Sequence, residues 1–133
     1  MSQANVEIVK RATDAFNRRD VDVFDDLTTS DFEWFPAMDR LVEGGSYRGR
    51  EGIEAYFEAV SGTWEEFQLL PDEFRDLGDR VLWLGRVEGR GRSSGVRVDT
   101  PLGTVVDFRD GKISRLRGYL DHGEALRAAG LSE

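Results

Sequence analysis

The chain contains no cysteine, one histidine and three prolines among its 133 residues. The absence of cysteine excludes disulfides, thiolate nucleophiles and thiolate metal sites. The single histidine, His122, cannot build the multi-histidine site that three-ligand zinc chemistry requires. No apolar run is long enough to span a bilayer, and the N-terminal segment has no apolar signal core. These absences predict a soluble, cytoplasmic protein that has no membrane contact and no bound metal.

The charge balance is acidic. Lys and Arg number 18 against 26 Asp and Glu, which gives a net charge of −8. Nucleic acid and anionic membrane are polyanions, so both are disfavoured as partners. No repeat, linker or long low-complexity segment interrupts the chain. Residues 1–133 are therefore expected to form one domain, which at this length buries roughly two-thirds of the surface of the unfolded chain.

The N-terminal half has the periodicity of helices. Apolar residues recur at helical spacing from Asn5 to Arg18, with charged residues largely on the other side, which predicts an amphipathic helix. Three further elements are predicted from caps, breakers and apolar runs: a short helix capped by Asp20, a strand over Phe32–Phe35 that stops at Pro36, and a helix that follows Gly49.

The C-terminal half has the pattern of a β-meander. Four extended segments are predicted over Glu65–Phe74, Arg80–Glu88, Val96–Phe108 and Lys112–Leu120. Asp110-Gly111 suits the two positive-φ positions of a type I′ hairpin turn. Pro101 and Gly103 predict a bulge or bend in the third segment. Helices followed by an antiparallel meander favour an α+β domain with the helices on one face of the sheet.

Several short motifs carry a family resemblance through their order along nearly the whole chain. They are the helix-opening segment Tyr47-Arg48-Gly49-Arg50-Glu51-Gly52-Ile53, the turn Asp110-Gly111-Lys112-Ile113, the pair Tyr119-x-Asp121 and the ending Glu124-Ala125-Leu126-Arg127-Ala128-Ala129-Gly130-Leu131. In this order the chain resembles the SnoaL-like branch of the NTF2-like superfamily. The resemblance implies a cone, in which a curved sheet wraps round helices and encloses an apolar cavity, with frequent homodimerisation through the outer sheet face. Ketosteroid isomerases, limonene-epoxide hydrolases, polyketide cyclases and transport factors share this fold, so the fold does not select a reaction.

The ketosteroid isomerase pattern is not met. The pattern of those enzymes has a carboxylate base just before a proline on the first strand. Here Phe35 precedes Pro36. They also use a tyrosine on the first helix to stabilise an oxyanion, and no tyrosine lies between Asn5 and Arg18. Isomerase chemistry of that kind is disfavoured.

The epoxide hydrolase pattern is met in part. Arg86 and Glu88 supply an Arg-x-acid pair, and residues i and i+2 of a strand share one face of the sheet. Counted from the Asp-Gly-Lys-Ile turn, the second acid of the pattern falls at Gly118. Arg97 and Asp99 on the next strand compete for the same assignment. A structural ion pair and a functional one are about equally expected for Arg86 and Glu88.

Resemblance to the SnoaL-type cyclases implies an aspartate near the last strand that acts as general acid/base, with a histidine nearby. In this chain Asp121 and His122 match that pattern. A carboxyl group in an apolar cavity would have a raised pKa suited to proton transfer. Asp121 and Glu124 also match a capping box for the last helix, and this structural interpretation is the stronger one.

Two hypotheses of different class follow. In the first, an isomerase, cyclase or hydrolase uses Arg86, Glu88 and Asp121 for general acid/base catalysis on a small apolar molecule. In the second, the fold is a non-catalytic module that binds a small ligand or another protein. No cofactor is implied by either. For any single aromatic residue, packing in the core is favoured over lining a cavity. Trp34 and Tyr56 are the better cavity candidates. The predicted substrate-binding residues are Trp34, Tyr56, Trp83, Phe108, Tyr119 and His122.

Overall fold

The computed structural model describes residues 2–37 and 46–131. Within this part of the chain the elements are α1 Ser2–Arg18, α2 Val21–Asp26, β1 Thr28–Phe35, β2 Tyr47–Arg48, α3 Gly49–Thr63, β3 Trp64–Asp76, β4 Arg80–Gly91, β5 Arg97–Arg109, β6 Lys112–Tyr119 and α4 His122–Ala128. Asp20 caps α2 as predicted, since its side chain accepts a hydrogen bond from the Val23 amide.

The strands form one mixed sheet in the order β2-β1-β6-β5-β4-β3. β3, β4, β5 and β6 pair consecutively and antiparallel, which confirms the predicted meander. β1 is parallel to β6 and antiparallel to β2. The sheet does not close on itself, and the predicted α+β cone is confirmed.

The turn between β5 and β6 has the geometry that its sequence predicts. Asp110 and Gly111 have φ angles of 54° and 79°, the two positive values that a type I′ turn requires. Arg109 and Lys112 pair directly on either side of the turn. This turn sets the register of β6, and β6 in turn pairs with β1.

Each face of the sheet buries its own apolar cluster. Val81, Trp83 and Val87 of β4 belong to the larger cluster, which includes residues of α1, α2 and α3. Leu82 and Leu84 lie on the opposite face and form a second cluster with α4. We call these the inner and the outer face. The prediction that the helices lie on one face is therefore wrong for α4, whose short apolar stripe of Ala125, Leu126 and Ala129 covers the outer face.

Three local predictions differ from the structure. β1 begins at Thr28, four residues before the predicted start, and Tyr47–Arg48 forms a short strand that was not predicted, directly before α3, which begins at Gly49 within the helix-opening segment. Of the bulge or bend predicted at Pro101 and Gly103, the bulge is absent, because pairing between β4 and β5 continues without a register shift through both residues. Gly103 has a packing role instead, since a Cβ atom there would lie 2.5 Å from the Cβ of Ala125 in α4.

No helix within the described ranges is long and apolar enough to cross a membrane.

The contact at Gly103 gives a stability prediction. Gly103→Ala should lower the free energy of unfolding by about 1–3 kcal/mol, because the added methyl group overpacks the contact with α4. Ala125→Gly in the same chain should restore part of the loss. Gly62→Ala is the matched control, since a Cβ at Gly62 meets no atom within 4 Å and alanine favours the helix. Urea denaturation measures all four chains, and equal stability of Gly103→Ala and wild type would contradict the contact.

Candidate functional site

A cavity of about 80 Å³ lies between the inner face of the sheet and the helices. This volume is the space open to the centre of a water-sized sphere, and one water molecule needs about 10–15 Å³ of it. The cavity is therefore large enough for several waters or a small organic molecule. Its described wall is mostly apolar and comes from α1, α2, α3 and five strands: Val9, Ala12, Thr13, Phe16, Phe24, Trp34, Pro36, Ala37, Tyr56, Phe67, Leu69, Trp83, Val87, Leu102, Thr104, Val106, Ile113, Leu116 and Gly118.

Aromatic rings form one side of the cavity around Trp34. Phe24 stacks on Trp34 with ring centroids 5.0 Å apart and planes 9° from parallel. Tyr56 meets Trp34 at 4.6 Å, and Phe16 meets it edge-on at 6.0 Å. Trp34 and Tyr56 are only 8% and 7% exposed. Packed rings hold one another in place, so the wall is a fixed apolar surface.

Thr13 and Trp83 form a hydrogen-bonded pair in the cavity wall. The indole Nε1 of Trp83 donates to Thr13 Oγ1 at 3.1 Å. The hydroxyl of Thr13 itself donates to the carbonyl oxygen of Val9, one turn earlier in α1, at 2.8 Å. The chain Trp83–Thr13–Val9 thus fixes the indole ring and engages the Thr13 proton. Tyr56 and Thr104 supply the other hydroxyl groups of the described wall.

The described wall contains no carboxylate, histidine, lysine or arginine. Gly118, where the epoxide hydrolase pattern would need its second acid, does line the cavity. A Cβ atom there would lie 2.8 Å from the amide nitrogen of Ala37, so the close approach of this segment requires glycine. The position predicted for an acid therefore faces the cavity without a functional group.

Arg86 and Glu88 face away from the cavity. Val87, between them, lines it, so strand alternation places both charged side chains on the outer face. They are 42% and 44% exposed, and Arg86 Nη1 donates to Glu88 at 3.2 Å and to Asp99 at 2.6 Å. Hydrogen bonds to Asp99 and then Glu88 raise the pKa of Arg86. Arg86 and Glu88 share a face as predicted, but that face is not the cavity wall. Asp99, from the competing Arg97/Asp99 pair, lies on the same outer face and bonds Arg86.

Asp121 and His122 also lie outside the described cavity wall. Asp121 Oδ1 accepts from the amides of Gly123 and Glu124 at 2.6 and 3.3 Å, which is the forward half of the predicted capping box. His122 Nε2 lies 2.9 Å from the carbonyl oxygen of Gly85 and donates to it, since a carbonyl only accepts. Both residues serve the start of α4 and its attachment to the sheet.

The predicted substrate-binding aromatics divide into two groups. The cavity brings together Trp34, Tyr56 and Trp83. Phe108 packs against the inner cluster but is not part of the described wall, and Tyr119 packs against the outer cluster. Sequence reasoning missed Thr13 and Thr104. For Thr104 a signal existed, because it alternates with Leu102 and Val106 on one strand face.

No group of three or more metal-ligating side chains occurs among residues 2–37 and 46–131.

The Thr13–Trp83 pair gives a second stability prediction. Thr13→Val should lower the free energy of unfolding by about 1–3 kcal/mol, because a buried indole donor loses its acceptor at nearly constant shape. Thr104→Val is the matched control from the same wall, and it should change stability by less than about 0.5 kcal/mol because its hydroxyl bonds no described residue. Urea denaturation followed by tryptophan fluorescence measures both. Equal losses would show that the hydrogen bond contributes nothing specific.

Several solved structures have a fold similar to that of this chain. An NTF2-like protein from Burkholderia xenovorans is 29% identical, with a TM-score of 0.78 over 97% of this chain and 98% of that chain. TerC, co-crystallized with polyporic acid, is 26% identical, with a TM-score of 0.78 over 95% and 97%. A protein with a ketosteroid isomerase-like fold from Catenulispora acidiphila, in complex with trimethylamine, is 19% identical, with a TM-score of 0.75 over 94% and 93%.

Comparison with the curated proteins gives no significant match. The model of the SnoaL-like domain family matches residues 9–116, which include the whole cavity wall except Gly118. The fold, the order of the motifs and this match agree, and the chain belongs to the SnoaL-like domain family of NTF2-like proteins.

Proposed function

We propose that the protein binds a small, uncharged, mainly apolar molecule in the cavity between its sheet and helices. The observation that carries this proposal is the cavity wall, in which packed aromatic rings face a space of about 80 Å³ and the described lining is uncharged. Burial of apolar ligand surface there is favourable by about 25 cal/mol per Å². The space is too small to enclose a polycyclic molecule.

The uncharged wall selects against ions. A charged ligand moved out of water needs a counter-charge or several hydrogen bonds, and no described wall residue supplies a formal charge. TerC with polyporic acid and the Catenulispora protein with trimethylamine are two proteins of this shape that hold an organic molecule. They support ligand binding as the general use of the fold, and the chemistry of this wall argues for a neutral ligand here.

Catalysis by Arg86, Glu88 and Asp121 stays a prediction. All three side chains lie outside the described cavity wall, and Arg86 and Glu88 are 42% and 44% exposed, so they are not in apolar surroundings. Binding requires no acid or base in the wall. The non-catalytic hypothesis is therefore the one that the geometry favours.

Cavity filling tests the proposal. Small neutral ketones, lactones and epoxides, with cyclohexanone as the first probe, should raise the melting temperature of the wild type because a ligand that binds only the native state stabilises it. Ala12→Leu adds bulk to the wall, and it should weaken binding at least about tenfold without loss of stability. The fluorescence of Trp34 and Trp83, both in the wall, gives an independent titration.

Two controls accompany this variant. Ala59→Leu makes the same change at an exposed position of α3, and Glu88→Gln removes the outer carboxylate; both should bind as the wild type does. Wild-type affinity in Ala12→Leu would contradict binding in this cavity. Loss of binding in Glu88→Gln would instead favour the carboxylate hypothesis.

We also propose a homodimer that pairs the part of the outer sheet face left open by α4. Opposite charges alternate there: Arg86 joins Glu88 and Asp99, while three arginines converge on Asp107, namely Arg80 at 2.9 Å, Arg115 at 2.8 Å and Arg117 at 3.6 Å. Two nitrogens of Arg117 are sealed from solvent without a hydrogen bond to any described residue. A two-fold interface requires a self-complementary face, and a face with both signs lets a positive group of one copy meet a negative group of the other, even on a chain of net charge −8.

Sedimentation tests the dimer. The wild type should sediment at twice the chain mass of 15.0 kDa. Arg86→Glu should weaken association at least about tenfold, because it places three acids together on the interface. Arg11→Glu, on the exposed side of α1, is the matched charge reversal and should leave the mass unchanged. A monomeric wild type, or equal effects of the two variants, would contradict this interface.

A further inference from the structure

We infer that Thr104 donates a hydrogen bond to the ligand, and that the ligand is an uncharged ring compound that carries a carbonyl oxygen. The inference rests on the proposed binding function and names the polar contact within that cavity. It follows from three features of the inner sheet face: the position of Thr104, its unused hydroxyl group and its neighbours.

Thr104 lies in the middle of a row that crosses three strands. It pairs with Trp83 of β4 on one side and with Gly118 of β6 on the other. All three residues line the cavity, as does Ala37, which approaches Gly118 from the end of β1. Because Gly118 has no side chain, nothing from β6 stands over the threonine. Thr104 thus places a hydroxyl group between the indole ring of Trp83 and a glycine on which Ala37 packs.

The hydroxyl group of Thr104, in the described cavity wall, has unused hydrogen-bonding capacity. Thr13 already donates to Val9 and accepts from Trp83. The side chain of Thr104 makes no hydrogen bond with any residue in the described ranges. Its oxygen is not sealed either, because the sealed and unpartnered side-chain atoms in those ranges are two nitrogens of Arg117. The group is half-buried, accessible and without a described protein partner.

These features define the ligand atom that fits. A hydroxyl group covered by an apolar ligand without a hydrogen bond loses its contact with water, which is unfavourable. A carbonyl oxygen accepts that hydrogen bond and needs no proton of its own. A carboxylate or an ammonium group would bring a charge that the described wall cannot balance. A ring that extends from the carbonyl group along the row contacts Trp83.

An isosteric pair of probes tests the contact. Cyclohexanone and methylenecyclohexane have nearly the same shape, but only the ketone accepts a hydrogen bond. Thr104→Val should weaken cyclohexanone binding about three- to tenfold, the equivalent of one neutral hydrogen bond, and should leave methylenecyclohexane binding unchanged. Thr100→Val is the matched control, because Thr100 is on the same face of β5 and outside the described wall. It should bind both probes as the wild type does.

The outcomes separate this inference from the function on which it rests. If cyclohexanone binds the wild type and is blocked by Ala12→Leu, but Thr104→Val binds it equally well, the cavity binds ligands and the inference is overturned. Equal weakening of both probes by Thr104→Val would also overturn it, since the effect would then come from wall shape. If neither probe binds the wild type, the proposed function fails and the inference fails with it.

Discussion

The alternation of side chains along β4 is the constraint on which the rest of the structure depends. Val81, Trp83 and Val87 face inward, while Leu82, Leu84 and Arg86 face outward. One strand therefore supplies the cavity wall, the support for α4 and the outer ion-pair cluster. A shift of pairing by one residue would exchange the two sets, which would bring Arg86 and Glu88 to the cavity and expose Val87. The long uninterrupted pairing of β4 with β5 opposes such a shift.

Packed aromatic rings bound one side of the cavity, and aliphatic side chains of the sheet bound much of the rest. Trp34 contacts Phe16, Phe24 and Tyr56, and each ring limits the movement of the next. Trp83 is held separately through Thr13. These contacts limit the ways in which the rings could move into the space beside them. Glycine at position 118 lets the end of β1 reach β6, which brings Ala37 into the wall.

Much of the fold could be predicted from the sequence, because its signals are local. Asp110-Gly111 specified a turn with two positive φ angles, and Asp121 specified a helix cap. Which side chains of β4 point toward the cavity could not be predicted in the same way. Apolar residues run without a break from Val81 to Leu84, since both faces are buried, and alternation alone does not tell which face is inner. Arg86 and Glu88 were therefore correctly assigned to one face, while the identity of that face depended on α4.

The site was less predictable than the fold for a related reason. A cavity is a space between elements that are distant in sequence, and Thr13 meets Trp83 across 70 positions of the chain. Charged residues attracted the chemical hypotheses because their spacing is visible in the sequence. The residues that define the cavity are rings and small hydroxyl groups, which look like ordinary core residues until the fold brings them together.

The parallel pairing of β1 with β6 has a consequence for how the protein is made. Thr28–Phe35 is synthesised well before its parallel partner Lys112–Tyr119, because β2, α3, β3, β4 and β5 lie between them in the chain. Until then β1 has only the two-residue β2 beside it, and its other edge offers unpaired amide and carbonyl groups. Contacts between distant segments also slow folding, because a long loop must close first. The nascent chain thus passes through a stage in which the aromatic wall around Trp34 is synthesised but not yet enclosed, and this stage is the one at which a chaperone would act.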